Sequence, residues 1–221
     1  MKIALVIFDM AGTTVNDEVN GAPLVLRCYS EAFNSYGVNV PIEVLNEQRG
    51  RDKLTVIKEL GGENSQQIYD KFLRLLSENV RKVREIEGSS ETFRFLRDHS
   101  VKVELSTGFP EDIAEAIIDH LEWQKNGLVD GWVCSEQVGV SRPNPAMILE
   151  AMKKHNVNDK RTVIKVDDTA TGIKEGRNAG VITVGVLTGT QSIQRLHSAD
   201  PDIILKSVKD LPEFLLEKNW L

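Results

Sequence analysis

Cysteine is scarce in this chain: Cys28 and Cys134 stand 106 positions apart, and neither belongs to a CxxC pair or a Cys/His cluster. That scarcity argues against a disulfide-stapled scaffold and fits a reducing, cytoplasmic compartment. Long apolar runs are missing too. The opening stretch MKIALVIFDM carries one Lys and a short apolar core. It is too short for a signal peptide with its cleavage site and far too short to span a bilayer, so no membrane partner is expected. Positive charge is not in excess. The formal net charge is -6, from 27 Lys and Arg against 33 Asp and Glu, which leaves no electrostatic footprint for nucleic acid. Repeats and low-complexity segments are absent, and His99, His120, His155 and His197 show no metal-ligand spacing. What is present is an ordinary globular mixture, 41% hydrophobic and 27% charged, over 221 residues. That length suits one domain carrying a smaller insertion.

Five apolar runs read as strands: Ile3–Phe8, Val101–Leu105, Trp132–Cys134, Thr162–Val166 and Ile182–Val186. Most are continuous rather than alternating, as in strands buried on both faces. Helical patterns fall between them at Glu91–His99, Asp112–Leu121, Ala146–His155 and Gly172–Ala179, the last stopped by Gly180. A weak strand, Asp202–Leu205, and a helix, Val208–Glu217, follow. Strand alternating with helix predicts a parallel sheet with right-handed crossovers. From about Val15 to Glu87 only helical patterns occur: Pro23–Tyr36, Ile42–Arg49, Asp52–Leu60 and Gln66–Arg84. The predicted fold is therefore α/β, a Rossmann-like parallel-sheet core (residues 1–14 and 89–221) with an inserted all-helical cap domain (15–88). Ligands of open α/β sheets bind beyond the carboxyl ends of the strands, where such an insertion would act as a lid.

Four strand ends carry chemistry. The first closes on Asp9-Met10-Ala11-Gly12-Thr13-Thr14. An isolated Asp there is more often a turn cap than a nucleophile. The second closes on Ser106-Thr107-Gly108, ordinary loop chemistry by itself. Ser141-Arg142-Pro143-Asn144-Pro145 presents one cation in a stiffened segment. The fourth strand ends in Asp167-Asp168-Thr169. One of these acids could cap the helix that follows, but two carboxylates exceed what a cap needs and point to a cation. Together the set offers a nucleophile, a hydroxyl, a cation and an acidic metal site. Phosphoryl transfer asks for such a set, because cations must neutralise the phosphoryl oxygens before a carboxylate can approach. Mg2+ suits the oxygen donors Asp9, Asp168 and the Ala11 carbonyl.

These residues resemble the haloacid dehalogenase superfamily, with four motifs in order and a helical cap in the expected place. The first motif has Ala11 where most superfamily phosphatases carry an acid. Asp9-Met10-Ala11-Gly12-Thr13-Thr14, Arg142 in place of Lys, and Lys174-Glu175-Gly176-Arg177-Asn178-Ala179-Gly180 look like the phosphonatase-like hydrolases. The resemblance implies that Asp9 is nucleophile and metal ligand, that Ala11 and Asp168 complete the protein's ligands, and that Thr107 and Arg142 hold the transferring group. It also places Lys53, within Gly50-Arg51-Asp52-Lys53-Leu54, where phosphonatases use a Schiff-base lysine. An enamine leaving group needs no acid at position 11, whereas an ester's alkoxide does. A solvated helix lysine, or a cap cation that binds anions, is an equal alternative for Lys53.

The sequence departs from the family at Val56 for a helper His, Arg49 for an apolar Met, Phe109 for Tyr and Gly172 for a later Asp. Arg49 would lower the pKa of Lys53 by repulsion, and Asp52 would oppose it. Asp167 is the candidate substitute for the carboxylate missing at Gly172. Thr13, Gly108, Arg49 and Arg51 are the candidate substrate contacts. The expected partner is a small-molecule phosphonate or phosphate, with a homodimer left open. The expected activity is a magnesium-dependent hydrolase working through an aspartyl-phosphate. A phosphomonoester phosphatase, a carbon–halogen hydrolase and a non-catalytic phosphometabolite-binding module are the alternatives. Trp123 and Trp132 are expected to pack at the third strand, Trp220 to fray, and Arg81–Arg84 to form a solvated face.

Overall fold

The computed structural model describes residues 2–221. Strand β1 (Leu5–Asp9) is buried along its whole length. The chain then leaves the sheet through three two-residue strands, β2 (Val15–Asn16), β3 (Glu18–Val19) and β4 (Ala22–Pro23). Four helices follow: α1 (Leu24–Asn34), α2 (Ile42–Glu47), α3 (Lys53–Leu60) and α4 (Ser65–Ser77). The chain returns on β5 (Arg84–Glu85), which pairs antiparallel with β2. The outgoing and incoming connections are thereby strapped side by side.

The remainder alternates: α5 (Ser89–Asp98), β6 (Lys102–Thr107), α6 (Glu111–His120), β7 (Gly131–Cys134), α7 (Ser135–Val138), α8 (Ala146–Lys154), β8 (Val163–Asp167), α9 (Ala170–Ala179), β9 (Ile182–Val186), α10 (Ile193–His197), β10 (Ile203–Leu205) and α11 (Leu211–Glu217). The sheet runs β10-β9-β8-β1-β6-β7, and every pairing in it is parallel. The chain builds outward from β1 through β6 and β7, then restarts on its other side at β8. That reversal makes the carboxyl end of β1 a topological switch point. Register places Asp9 opposite Ser106, Phe8 opposite Val166 and Thr107 opposite Cys134, so the chemistry-bearing residues share one edge.

Side-chain alternation divides the sheet into two unlike faces. Val6, Phe8, Val103, Leu105, Ile164 and Val166 belong to the larger apolar cluster, which continues through Phe93 and Trp123 and into Tyr29 and Phe72 of the helical insertion. Each such buried side chain contributes about 1.5–3 kcal/mol relative to exposure. The opposite face starts apolar at Leu5, Ile7 and Val163, under Met147 and Ala151 of α8. Towards the carboxyl edge it turns polar at Ser106, Lys165 and Asp167, all fully buried.

Several expectations are corrected. The insertion is not purely helical. The β3–β4 hairpin turns on Asn20 and Gly21, both at positive φ, the pair that a tight hairpin turn favours. Two-residue strands are too short to leave a periodicity. The helix expected over Gln66–Arg84 stops at Ser77, and a 3-10 turn, Val80–Lys82, carries Val80 into the core. Trp220 does not fray: its ring packs edge-on against Phe214 at 5.7 Å, and its carbonyl accepts from Ile3 N at 2.8 Å. His155, which shows no metal-ligand spacing, lies just after α8 with Nε2 2.7 Å from buried Glu104 Oε2. Both cysteines are free and buried. Among the described residues no helix is long and apolar enough to cross a membrane.

Candidate active site

Asp9 ends the central strand and is almost wholly buried. The chain turns immediately after it, with Thr13, Thr14 and Val15 N–H groups donating to the Met10 carbonyl, and Thr14 Oγ1 donating to the Asp9 carbonyl at 2.8 Å. Gly12 holds φ of +94°, and a side chain there would run into the Asp168 carboxylate. Carboxylate oxygens of Asp9, Asp167 and Asp168 gather within 4.8 Å of one another. Burial and the charges of its neighbours Asp9 and Asp167 push the Asp168 carboxyl well above its usual range. Asp9 is raised by burial and by Asp167, against the pull of Arg142 and Lys165.

Arg142 lies beneath this cluster, fully buried. Nη1 reaches Asp9 Oδ1 at 2.5 Å and the Gly50 carbonyl at 3.3 Å, and Nη2 donates to Ser106 Oγ at 2.8 Å. Its Nε faces Glu175 Oε2 at 2.8 Å. Most of its donors are thus committed to protein groups, and it clamps the nucleophile candidate instead of lining the cavity above it. Lys165 runs parallel to it, paired with Asp167 Oδ2 at 2.9 Å and donating to the same Ser106 Oγ at 2.8 Å. Burial would raise the Asp167 carboxyl, but Lys165 and Arg142 outweigh it and hold Asp167 below its ordinary value.

A cavity of about 10 Å³ opens above Asp9, lined by Ala11, Val25, Arg49, Gly50, Lys53, Thr107, Gly108 and Phe109. That is room for roughly one water, so the lid is shut in this conformation. Larger grooves elsewhere on the surface, such as the one beside Trp132 and Leu149, hold none of these groups. Thr107 Oγ1 accepts from Phe109 N at 3.1 Å, which leaves its proton free to donate. Lys53 is buried under the lid at the start of α3. It donates to the Arg51 carbonyl at 3.0 Å, sits 5.4 Å over the Phe109 ring, and forms no ion pair among the described residues. Burial, then the charge of Arg49, lowers its pKa to about 8, with Asp9 and Asp52 opposing and Arg142 assisting.

Three candidates are placed differently from expectation. Thr13 Oγ1 donates to Asp168 Oδ1 at 2.9 Å, so it orients an acid instead of facing a substrate. The Arg51 guanidinium turns outward to Glu59, at 2.7 and 2.8 Å, and only its backbone carbonyl approaches the site, against Gly108. Arg49 does line the cavity, but its charge is met by buried Asp17 at 3.1 Å, and Nη2 also donates to the Ala11 carbonyl at 3.3 Å. The sequence reading missed Asp17, Ser106, Lys165 and Glu175 as site residues. For Lys165 the signal was legible: a charge inside an otherwise apolar strand. For Asp17 there was none.

The residues fit a bound cation. Asp168 Oδ2 is buried with no partner among the described residues. Around it the buried acids Asp9, Asp17, Asp167, Asp168 and Glu175 outnumber the buried bases Arg49, Lys53, Arg142 and Lys165. Uncompensated negative charge of this kind is costly without a counter-ion.

A parallel α/β sheet with a buried acid cluster at its switch point, roofed by an inserted helical lid, defines a class of covered-site enzymes. The haloacid dehalogenase-like hydrolase family model matches residues 6–186. A phosphonoacetaldehyde hydrolase of Bordetella avium is 30% identical over 97% of this chain and 90% of its own length. One from Bacillus cytotoxicus is 30% identical over 87% of this chain and 79% of its own. Among solved structures, a phosphonoacetaldehyde hydrolase-like protein from Oleispira antarctica superposes with a TM-score of 0.86 at 24% identity, over 99% of this chain and 93% of that one. A hydrolase from Pseudomonas syringae gives 0.84 at 19% identity, over 97% and 98%. The chain belongs to the haloacid dehalogenase-like hydrolases and is an enzyme of that family.

Proposed function

We propose that this enzyme is a magnesium-dependent, phosphonatase-like hydrolase of a small phosphonate aldehyde, phosphonoacetaldehyde being the test compound. One observation carries the reading: Lys53, a buried amine without a carboxylate partner, lines the same small cavity as Asp9. The names of the relatives agree with it. Asp9, Asp168 and the Ala11 carbonyl would hold the cation, which when bound neutralises phosphoryl oxygens. Asp167 would stand beside them as a further candidate ligand, with Lys165 Nζ 2.9 Å from its Oδ2.

In this mechanism the neutral Lys53 amine condenses with the aldehyde, releasing water and forming an imine that is protonated to an iminium. The Asp9 carboxylate, aimed by Arg142, attacks phosphorus. The electron pair of the breaking C–P bond moves into the iminium and yields an enamine. Thr107 donates to the phosphoryl group. Water then cleaves the aspartyl-phosphate to phosphate and Asp9, while protonation and hydrolysis of the enamine return acetaldehyde and free Lys53. No acid is required at Ala11, since carbon leaves as an enamine and not as an alkoxide.

Borohydride reduction in the presence of phosphonoacetaldehyde tests it. Peptide mapping should find the adduct on Lys53, and untreated enzyme should release phosphate. Absence of both label and phosphate would remove the C–P reading.

A further inference from the structure

Asp52 makes more contacts than a helix cap requires. As the residue before α3 it caps the helix with one oxygen: Oδ1 accepts from Thr55 N at 2.7 Å and from Thr55 Oγ1 at 2.6 Å. Its other carboxylate oxygen and its N–H reach out of the insertion to the core. Oδ2 accepts from Ser135 Oγ at 3.1 Å, and Asp52 N donates to Ser141 Oγ at 2.9 Å. These contacts span 83 and 89 positions, so helix capping does not account for them. Ser135 is buried where β7 passes into α7, and Ser141 directly precedes Arg142.

The two residues before Asp52 are seated on the core as well. The Gly50 carbonyl accepts from Arg142 Nη1 at 3.3 Å. The Arg51 carbonyl presses on Gly108, where a Cβ would overlap it. That same Arg51 carbonyl accepts from Lys53 Nζ at 3.0 Å, so the amine is tied to the seated turn. We propose that Asp52 is a positioning residue for Lys53: Ser135 and Ser141 grip it when the lid is shut, and the grip sets the amine over Asp9.

Lys53 is the first residue of α3, so its amine follows any shift of that helix end. Packing does little to fix the end. The turn Gly50-Arg51-Asp52 has no apolar side chain, and the Arg51 guanidinium points outward to Glu59. Directional hydrogen bonds must then set its register on the core. One core segment serves both reactive groups. Ser141 Oγ receives Asp52 N and donates to the Arg142 carbonyl at 3.3 Å, while Arg142 Nη1 clamps Asp9 Oδ1 at 2.5 Å. Nucleophile and amine thereby share one reference, and they come together only when the lid is seated.

The inference rests on Lys53 being the imine-forming amine, and the test separates the two. Four variants are compared with wild type: Ser135→Ala, Asp52→Ala, Asp52→Asn and Thr55→Val. Four readouts are taken: amide exchange over residues 50–56, acylation of Lys53 by acetic anhydride, borohydride trapping of phosphonoacetaldehyde on Lys53, and the beryllium trifluoride adduct of Asp9. Ser135→Ala leaves the cap of α3 intact. Its exchange over 50–56 should rise at least about tenfold, the scale of one hydrogen bond to a charged group, and acylation of Lys53 should quicken. Trapping should slow about tenfold in Ser135→Ala and about 100-fold in Asp52→Ala, the scale of a misplaced reacting group. Both should keep the Asp9 adduct. Asp52→Asn retains an oxygen for Thr55 and turns an amide towards Ser135 Oγ, so it should trap within about twofold of wild type. Thr55→Val, which touches only the cap, should do the same. Unchanged exchange and trapping in Ser135→Ala overturns the proposal. So does Asp52→Asn as slow as Asp52→Ala, which would make charge the cause, or Thr55→Val as slow as Ser135→Ala, which would reduce Asp52 to a helix cap. If Asp52→Ala fails to fold, Ser135→Ala decides. Wild type that traps nothing on Lys53 sinks only the imine reading, and the grip is then scored on exchange and acylation.

Discussion

Two deeply buried acids meet opposite fates. Glu104, two residues before Ser106 on β6, is fully buried, with Lys154 Nζ at 2.7 Å on one oxygen and His155 Nε2 at 2.7 Å on the other. Asp168 is as deeply buried, but its Oδ2 has no partner and its nearest charged neighbours include two further acids. A closed cluster spends its charge on the fold. An open one withholds charge for something that arrives later, and the folded chain bears that cost in the meantime. The same contrast separates two lysines: Lys154 rests on Glu104, whereas Lys53 is shut under the lid with no acid to hold it.

Replacing Asp9, the proposed nucleophile in the open cluster, has the largest expected effect. Asp9→Asn should lower turnover by at least about 10⁴-fold, the scale of losing a nucleophile. Its thermal transition should stay near that of wild type; an active Asp9→Asn would dissolve the distinction between the two clusters. The next effect belongs to Lys53. Its folded pKa, about 8, lies below its ordinary 10.5, so the unfolded chain binds the extra proton between those values. Stability from this residue therefore rises as pH climbs from about 8 to about 10.5, and below that window its burial is a penalty of about 3 kcal/mol. Lys53→Met should abolish the rise in a denaturation series and be the more stable protein at pH 7. A wild-type curve flat across the window would refute the unpaired state of Lys53.

Much of this was legible in the residues, for physical reasons. Buried parallel strands are continuous apolar runs, so β1, β6, β8 and β9 stood out, and their ends located Asp9, Thr107 and Asp168. The supporting shell was not legible. Arg142 reads as a cation for substrate until its partners Asp9, Ser106, Gly50 and Glu175 are seen to use its donors. Arg51 and Arg49 are neighbours of one type, yet one faces Glu59 outside and the other Asp17 inside. Which way a side chain turns depends on partners distant in sequence, and no local pattern records them. Thr13 belongs to the same class, since its tie to Asp168 spans 155 positions.

Metal titration sharpens the comparison at a somewhat smaller scale. Mg2+ at about 100 times its dissociation constant should stabilise the wild type by about 2.7 kcal/mol. Asp168→Asn should lose that gain and, without metal, melt above wild type, because one of three crowded acids has been neutralised. Glu104→Gln should keep the whole gain. A metal response that survives Asp168→Asn would show the open cluster to be closed by other means.

The smallest effect is the destabilisation expected from Glu104→Gln itself. The amide keeps the shape of the side chain and one acceptor, but it withdraws the charge that faces Lys154 and His155. A buried cation left without its partner usually costs about 3–5 kcal/mol. Here Lys154 is partly exposed, its side chain 42% accessible, so it can turn to water. The expected loss is therefore only about 1–2 kcal/mol, the scale of hydrogen bonds to a charged group, read as a lower urea midpoint at unchanged slope. Turnover and Mg2+ affinity should stay within a factor of about two, a shift under 0.5 kcal/mol. Glu104 and Asp9 share a face but are joined to different cations, Lys154 in one case and Arg142 in the other. A tenfold fall in turnover in this variant would mean that the two clusters communicate through Ser106, and that the closed one supports catalysis as well as the fold.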